Sequence, residues 1–474
     1  MKRIQGWSLA IMAAASGSLA GCSGPLVEDD ILERLGRQGI RSPDGGPSRM
    51  LGLAAGIAEP LPDRELLLPD LLQLADQVNP ALLAARSAVG VAAGLSWQSG
   101  MYPNPSIGVR SGEIGLGGDS ANTVLSVSQP IVIGNRLRTA VAAADAEEAA
   151  KLAAYEVVRR EVFGRVAELH SRVLDASAQL RLVDELLEIG ERTLLIAETR
   201  FEARAVSEPD VIRPRVEVYQ LRADRQRLAR ELAAAERQLG LTLGTGPIGA
   251  ERLGGRLPTD PAALEDGALR AAVESGHPAL VAADREIEAA EAAIDRLHAE
   301  RTPDLDVTAG FGYSEEGNQG IVELGIGARI PLWDRRQGDL LAARFELMRL
   351  RHERVARLNE LLARLAEEIG DYNSARDQLL ILRDLVVPDA QRAFDQVGEA
   401  YRAGRASFID LIDTQRTLMQ SRRTLSELAG RASAANARLA AIVGTELLVP
   451  SGERPDGNEP HPTHVAPVGA EEAP

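Results

Sequence analysis

A chain of 474 residues with a formal net charge of −16 offers no basic surface for a phosphate backbone, which excludes DNA and RNA as partners. Its single cysteine, Cys22, rules out an intrachain disulfide. Aromatic residues make up only 3% of the chain while Ala, Leu, Glu and Arg abound, a composition suited to long helices rather than a large mixed core.

The chain opens on Met1-Lys2-Arg3, follows with a short apolar stretch from Ile4 to Ala15, and reaches Leu19-Ala20-Gly21-Cys22. This pattern predicts a secretory leader over 1–21, too short for a stop-transfer helix. The small residues before Cys22 resemble a bacterial lipobox, so Cys22 is the expected lipidation site; an ordinary leader cut near Ala20 is the alternative. Acylation would also account for a lone thiol in an oxidising compartment. Ser23 stands where an aspartate would favour the inner membrane, which directs the anchor to outer-membrane lipid. Residues 22–63 read as the lipid-anchored linker. No later apolar run is long enough to cross a bilayer as a helix.

From residue 64 the sequence nearly repeats itself about two hundred residues later. Asn79-Pro80-Ala81-Leu82 returns as His277-Pro278-Ala279-Leu280, and Gln129-Pro130-Ile131 as Ile330-Pro331-Leu332. The stretch from Phe201 to Ile212 returns as Tyr401 to Ile412. Each half has the same order of parts: helix, two short alternating segments, long helical hairpin. The repeats are assigned to 64–245 and 263–445, with a Gly/Pro-rich linker at 246–262 and a polar, disordered tail at 446–474.

Four alternating segments predict strands. The first, Pro105 to Glu113, carries Ile107 and Val109 on one face; the second, Asn122 to Pro130, carries Thr123, Leu125 and Val127. In the second half Leu305, Val307, Ala309, Phe311 and Tyr313 form one row, and Val322, Leu324, Ile326, Ala328 and Ile330 another. One apolar face and one face of polar residues or glycine marks a half-buried strand. At about nine to eleven residues each, the strands have the length needed to cross hydrocarbon at a tilt. Two hairpins cannot close a barrel alone, and an open edge cannot remain in lipid. Several copies of the chain are therefore expected to complete one wall; a small sheet covered by the chain's own helices is the alternative. Tyr102, Tyr313 and Trp333 near strand ends fit an interfacial aromatic belt.

The helical segments carry a heptad seam: Val162, Val166, Leu169, Val173, Ala176, Leu180, Val183, Leu187, Leu194, Ala197 and Phe201. The helix from Asn135 to Phe201 would extend on the order of 100 Å. The returning helices keep step through Val211, Val218, Leu221, Leu228 and Leu239, and through Leu411, Leu418, Leu425 and Leu439. Both reversals end in Ser-x-x-Asp, Ser207 to Asp210 and Ser407 to Asp410. That spacing caps a helix start, which is the plain reading of both aspartates. In the second repeat Asp413 follows one turn later, and several chains around an axis would gather Asp410 and Asp413 into a cation-selecting ring. No phosphate-binding loop or catalytic triad is present, so no enzyme is expected. His170, His277, His298 and His352 lack metal-ligand spacing, and His461 with His464 forms only a short tract in the tail. No cofactor is expected.

The duplicated layout, the lipobox, the four strands and the tip Tyr401-Arg-Ala-Gly404-Arg-Ala-Ser407-Phe-Ile-Asp410-Leu-Ile-Asp413 together resemble the TolC family of outer-membrane efflux channels. Within it, Ile330-Pro331-Leu332-Trp333-Asp334-Arg335-Arg336-Gln337-Gly338 is similar to a Pro-Leu-Phe-Asp-Arg-Asn-Gln-Gly stretch of the heavy-metal, CzcC/CusC-like branch. The resemblance implies a mainly α fold with a small β part, made of a helical-hairpin barrel and a transmembrane β-barrel. Four strands per chain would give twelve in a homotrimer. It also implies a periplasmic constriction at Asp410 and Asp413, held by Tyr401. The family's latching arginine falls at Ala406 here, leaving Arg405 as the neighbouring candidate. A periplasmic adaptor would dock on the tips at Arg204, Ala205, Ser207, Gly404 and Ser407. An inner-membrane RND-type pump would deliver the cargo, heavy-metal cations or drugs. A type I secretion exit duct and a lipid-tethered periplasmic coiled-coil scaffold are the alternatives.

Overall fold

The structure is a computed structural model and describes residues 64–114, 120–314, 319–403 and 405–444. The leader, Cys22, the N-terminal linker, both hairpin turns, Gly404 and the tail with His461 and His464 lie outside the described residues. Each half begins with a pair of helices: α1 (Leu68–Val78) and α2 (Pro80–Ser99) in the first, α5 (Asp266–Gly276) and α6 (Pro278–Ala299) in the second. The two pairs break at equivalent caps. Asn79 accepts the Ala81 and Leu82 N–H groups at 2.9 and 3.1 Å, and His277 Nδ1 accepts that of Ala279 at 3.1 Å. Proline at the first helical position follows in both, where its missing N–H costs nothing.

Between the pairs and the long hairpins lie β1 (Ser106–Ile114), β2 (Ser120–Ile131), β3 (Leu305–Ser314) and β4 (Gln319–Ala328). They form one antiparallel sheet in chain order, the hairpins joined by β2–β3 pairs such as Val127↔Ala309. Ile107, Val109, Leu125, Val127, Phe311, Val322, Leu324 and Ile326 make one exposed apolar face. Across the other face Arg110 reaches Glu323 at 2.7 Å. Val124 lies buried on that face because Gly310 and Gly312 leave it room; a Cβ on either would come within 2.7 or 2.8 Å of its methyl groups. The fourth strand is shorter than its alternation predicts. Ala328 pairs with Leu305, the first residue of β3, so Arg329 and Ile330 have no partner strand, and Pro331 follows without an N–H. Among the described residues, β1 and β4 are unpaired along their outer edges.

The long hairpins are α3 (Arg136–Glu202) with α4 (Glu208–Leu243), and α7 (Gln337–Ile381), α8 (Val387–Arg402) and α9 (Phe408–Val443). A π turn, Leu382–Val386, joins α7 to α8. Pro388 explains it, since a proline ring crowds the preceding turn of an α-helix and a wider turn relieves the clash. The predicted seam holds from Val166 to Val183: Val166, Leu169 and Val173 pack with Ala235 and Leu239 of α4, Ala176 and Val183 are buried, and Leu180 is half-buried. Beyond it Ala197 is buried as expected, while Leu186 and Thr193 are buried in preference to Leu187 and Leu194, and Phe201 is 44% exposed. A straight helix drifts ~20° per heptad against a 3.5-residue repeat, and over this length the drift moves alternate seam contacts back by one position.

The segment 246–262 is not a loose connection. Leu66 and Leu253 form a parallel bridge, with Leu66 N–H donating to the Arg252 carbonyl at 2.7 Å. Ile248 and Leu253 join Val166, Leu169 and Leu239 in one buried cluster. His170 bonds the Gly254 carbonyl at 3.0 Å, and Tyr372, Arg376 and Arg383 donate to the carbonyls of Ala262, Pro261 and Thr259. The segment is thus a belt strapped to both long hairpins.

Candidate functional site at the hairpin tips

Both long hairpins reverse in a few residues. In the first, Ala205 N–H returns to the Arg200 carbonyl at 2.8 Å and Arg204 adopts a left-handed φ of 58°. Asp210 then accepts both the Ser207 N–H, at 3.0 Å, and the Ser207 hydroxyl, at 2.6 Å. In the second, Asp410 accepts the same two groups at 3.0 and 2.7 Å, and Ser407 Oγ accepts the Asp410 N–H at 3.1 Å. Hydrogen bonds from the serines hold both carboxyls below the usual carboxylate range. Both aspartates therefore cap their helices.

Asp410 and Asp413 do not share one environment. Asp410 is committed to its cap. Asp413 is exposed and makes no side-chain bond among the described residues. It lines a cleft of about 250 Å³ between the two tips with Asp210, Arg213, Phe408, Ile412 and Arg416. The cleft brings one carboxylate from each hairpin together with two arginines, and Asp410 is not part of its wall.

Tyr401 is buried in a small apolar cluster with Ala197, Val211, Phe408 and Ile412. The Phe408 ring lies 5.7 Å from it, and the Arg200 guanidinium sits 4.3 Å above its ring centroid. Its hydroxyl has no hydrogen-bond partner among the described residues, and burial keeps it protonated beyond the usual tyrosine range. Arg405, expected near this tyrosine, is exposed and bonds only through its backbone N–H to the Ala400 carbonyl. Arg200 holds that place instead, coming from the other hairpin. Heptad spacing carries no sign of this contact; the seam's drift brings Arg200 inward as Phe201 turns out. Further from the tips, Thr193 donates to Gln415 at 2.8 Å in the buried α3–α9 contact. Of the expected adaptor-contact positions, Arg204, Ala205, Ser207 and Ser407 are exposed or half-buried at the tips, and Gly404 lies outside the described residues. No group of three or more His, Cys, Asp or Glu side chains among the described residues is placed to hold a metal ion.

Residues 71–245 and 269–445 match the family described as outer membrane efflux protein. The cobalt-zinc-cadmium resistance protein CzcC of Cupriavidus metallidurans is 24% identical over 357 residues, 75% of this chain and 85% of the relative. Among solved structures, the outer-membrane channel OprN superposes with a TM-score of 0.67 at 17% identity, covering 80% of this chain and 89% of that one. CusC, whose structures concern folding and transmembrane channel formation, gives 0.64 at 19% identity over 80% of this chain and 92% of its own. Their likeness is one of fold, and it spans both repeats.

Proposed function

Because the chain belongs to the outer membrane efflux protein family, we propose that it is the outer-membrane exit duct of a tripartite efflux system. It conducts passively; the energy comes from an inner-membrane RND-type pump, and a periplasmic adaptor joins the two at the hairpin tips. Heavy-metal cations are the proposed cargo, supported by the relative named for cobalt, zinc and cadmium resistance and by the carboxylates of the tip cleft. Lipidation at Cys22 anchors the mature chain in the outer membrane.

The observation that carries this function is the sheet. Among the described residues its two outer strands lack a partner on one side and one face is apolar and open, so a single chain exposes that face to water and would leave its edges unsatisfied in lipid. Three copies arranged about an axis would join β1 of one to β4 of the next, and twelve strands would close a lipid-facing barrel with no edge. The Arg110–Glu323 pair and the glycines would then face the lumen. The same axis would bring three tip clefts together and gather the Asp413 carboxylates into a ring of negative charge.

The test is reconstitution. The full chain should purify from detergent at three times its monomer mass and open discrete conductances in a planar bilayer. A strain lacking it should become sensitive to cobalt, zinc and cadmium. A monodisperse monomer that stays in solution without detergent would overturn the duct.

A further inference from the structure

At the foot of β4 a cavity of about 460 Å³ opens between Arg301, Leu332, Trp333, Arg335, Gln337 and Leu340. We propose that it binds the phosphate headgroup of an anionic glycerophospholipid, whose acyl chains lie along the apolar row of β4. The inference rests on the barrel lying in a membrane, as proposed above.

The two repeats supply the strongest argument. At the equivalent place in the first repeat the chain closes on itself: the Tyr102 hydroxyl accepts the Val132 N–H at 3.1 Å, and Val132 and Ile133 are half-buried. In the second repeat Leu332 and Trp333 stand exposed, the indole at 86%. Arg301 and Arg335 line the cavity with no carboxylate partner among the described residues. Their neighbour Arg336 has two, Glu300 and Asp339, each at 3.1 Å. Both guanidinium groups are exposed and lie beside the same cavity, whereas Arg222, Arg225, Arg351 and Arg354 on the helices are paired with acids. Guanidinium binds phosphate through two parallel N–H···O bonds. An indole beside them suits the headgroup level, where its ring is half in hydrocarbon and its N–H half in water. Leu324, Ile326 and Ile330 are exposed and precede Leu332 in the chain, so apolar and cationic residues follow one another closely in sequence, as the hydrocarbon and headgroup of one lipid require.

Native mass spectrometry of the full chain in mild detergent, titrated with phosphatidylglycerol or with diacylglycerol of the same acyl chains, tests the site. Wild type should retain one phosphatidylglycerol per chain and no diacylglycerol. Arg301→Gln/Arg335→Gln, both at exposed positions, should weaken that retention at least tenfold while leaving oligomer mass and circular dichroism unchanged. Equal retention by wild type and variant overturns the site. So does a loss of oligomer mass in the variant, which would assign the cleft to a second copy of this chain. Flotation with phosphatidylethanolamine/phosphatidylglycerol vesicles separates the two levels. If the wild type does not float, the membrane function falls and the site with it; if it floats but retention fails as above, only the site falls.

Discussion

Asp410 and Asp413 differ by one helical turn, yet their surroundings assign them different work. Asp410 is bound to the Ser407 N–H and hydroxyl, so Asp410→Asn should mainly weaken the start of α9 and lower the melting temperature. Asp413 is open to the tip cleft, so Asp413→Asn should leave the melting temperature unchanged and lower single-channel cation conductance several-fold. Equal conductance changes in the two variants would show that the cap and the cleft are not separable. A second residue carries a pH signature. Burial first, and then Arg160, push the His277 imidazole down to about 4 from its ordinary 6.5, and its Nδ1 accepts the Ala279 N–H only while unprotonated. The folded form thus resists protonation that the unfolded chain accepts, so its contribution is complete above pH 6.5 and lost as pH falls from there towards 4. Asn79 caps the equivalent helix without titrating. His277→Asn should therefore match wild type in melting temperature at pH 7.5 and exceed it at pH 5; parallel curves at both pH values would remove His277 from the acid response.

At the scale of elements, the long helices meet closely where their side chains are smallest. A Cβ on Gly164 of α3 would stand 2.3 Å from that of Ala441 on α9. Gly164→Ala should destabilise the chain by ~1–3 kcal/mol through overpacking. Adding Ala441→Gly should recover most of the loss, and a double variant no more stable than the single would place the strain elsewhere. This contact is invisible in the sequence, whereas the elements themselves are not. Strands announce themselves by alternation and helices by heptads because each buries one face, and a face leaves a period in the chain. The end of β4 escapes that logic, since Ile330 continues the period but has no strand opposite it. The belt at 246–262 escapes it too: glycine and proline mark a loop, but nothing local says that Ile248 and Leu253 pack under it. Arg200 above Tyr401 is a meeting of residues two hundred positions apart, set by a seam that drifts by a fraction of a turn in each heptad. The serine–aspartate caps lie at the other extreme, legible because every bond they make spans three residues.

For the whole molecule, the question is what covers the apolar face of the sheet. Leu324 is 80% exposed in the single chain, so in a water-facing sheet Leu324→Lys would be tolerated or would even improve solubility. In a barrel the same side chain points into hydrocarbon, where a lysine costs ~2–4 kcal/mol near the midplane. Thr308 lies on the opposite face, its hydroxyl donating to Ser128 Oγ at 3.1 Å, and would look into the lumen. A lysine there would meet water and shift ion selectivity rather than insertion. The two variants therefore part company only if the sheet closes in lipid: Leu324→Lys should lose heat-resistant oligomer and membrane fractionation, while Thr308→Lys should keep both and become less cation-selective in a bilayer. Were both to fractionate like wild type, the apolar row would need a protein cover instead. No described helix supplies one, because the sheet exposes that row along all four of its strands.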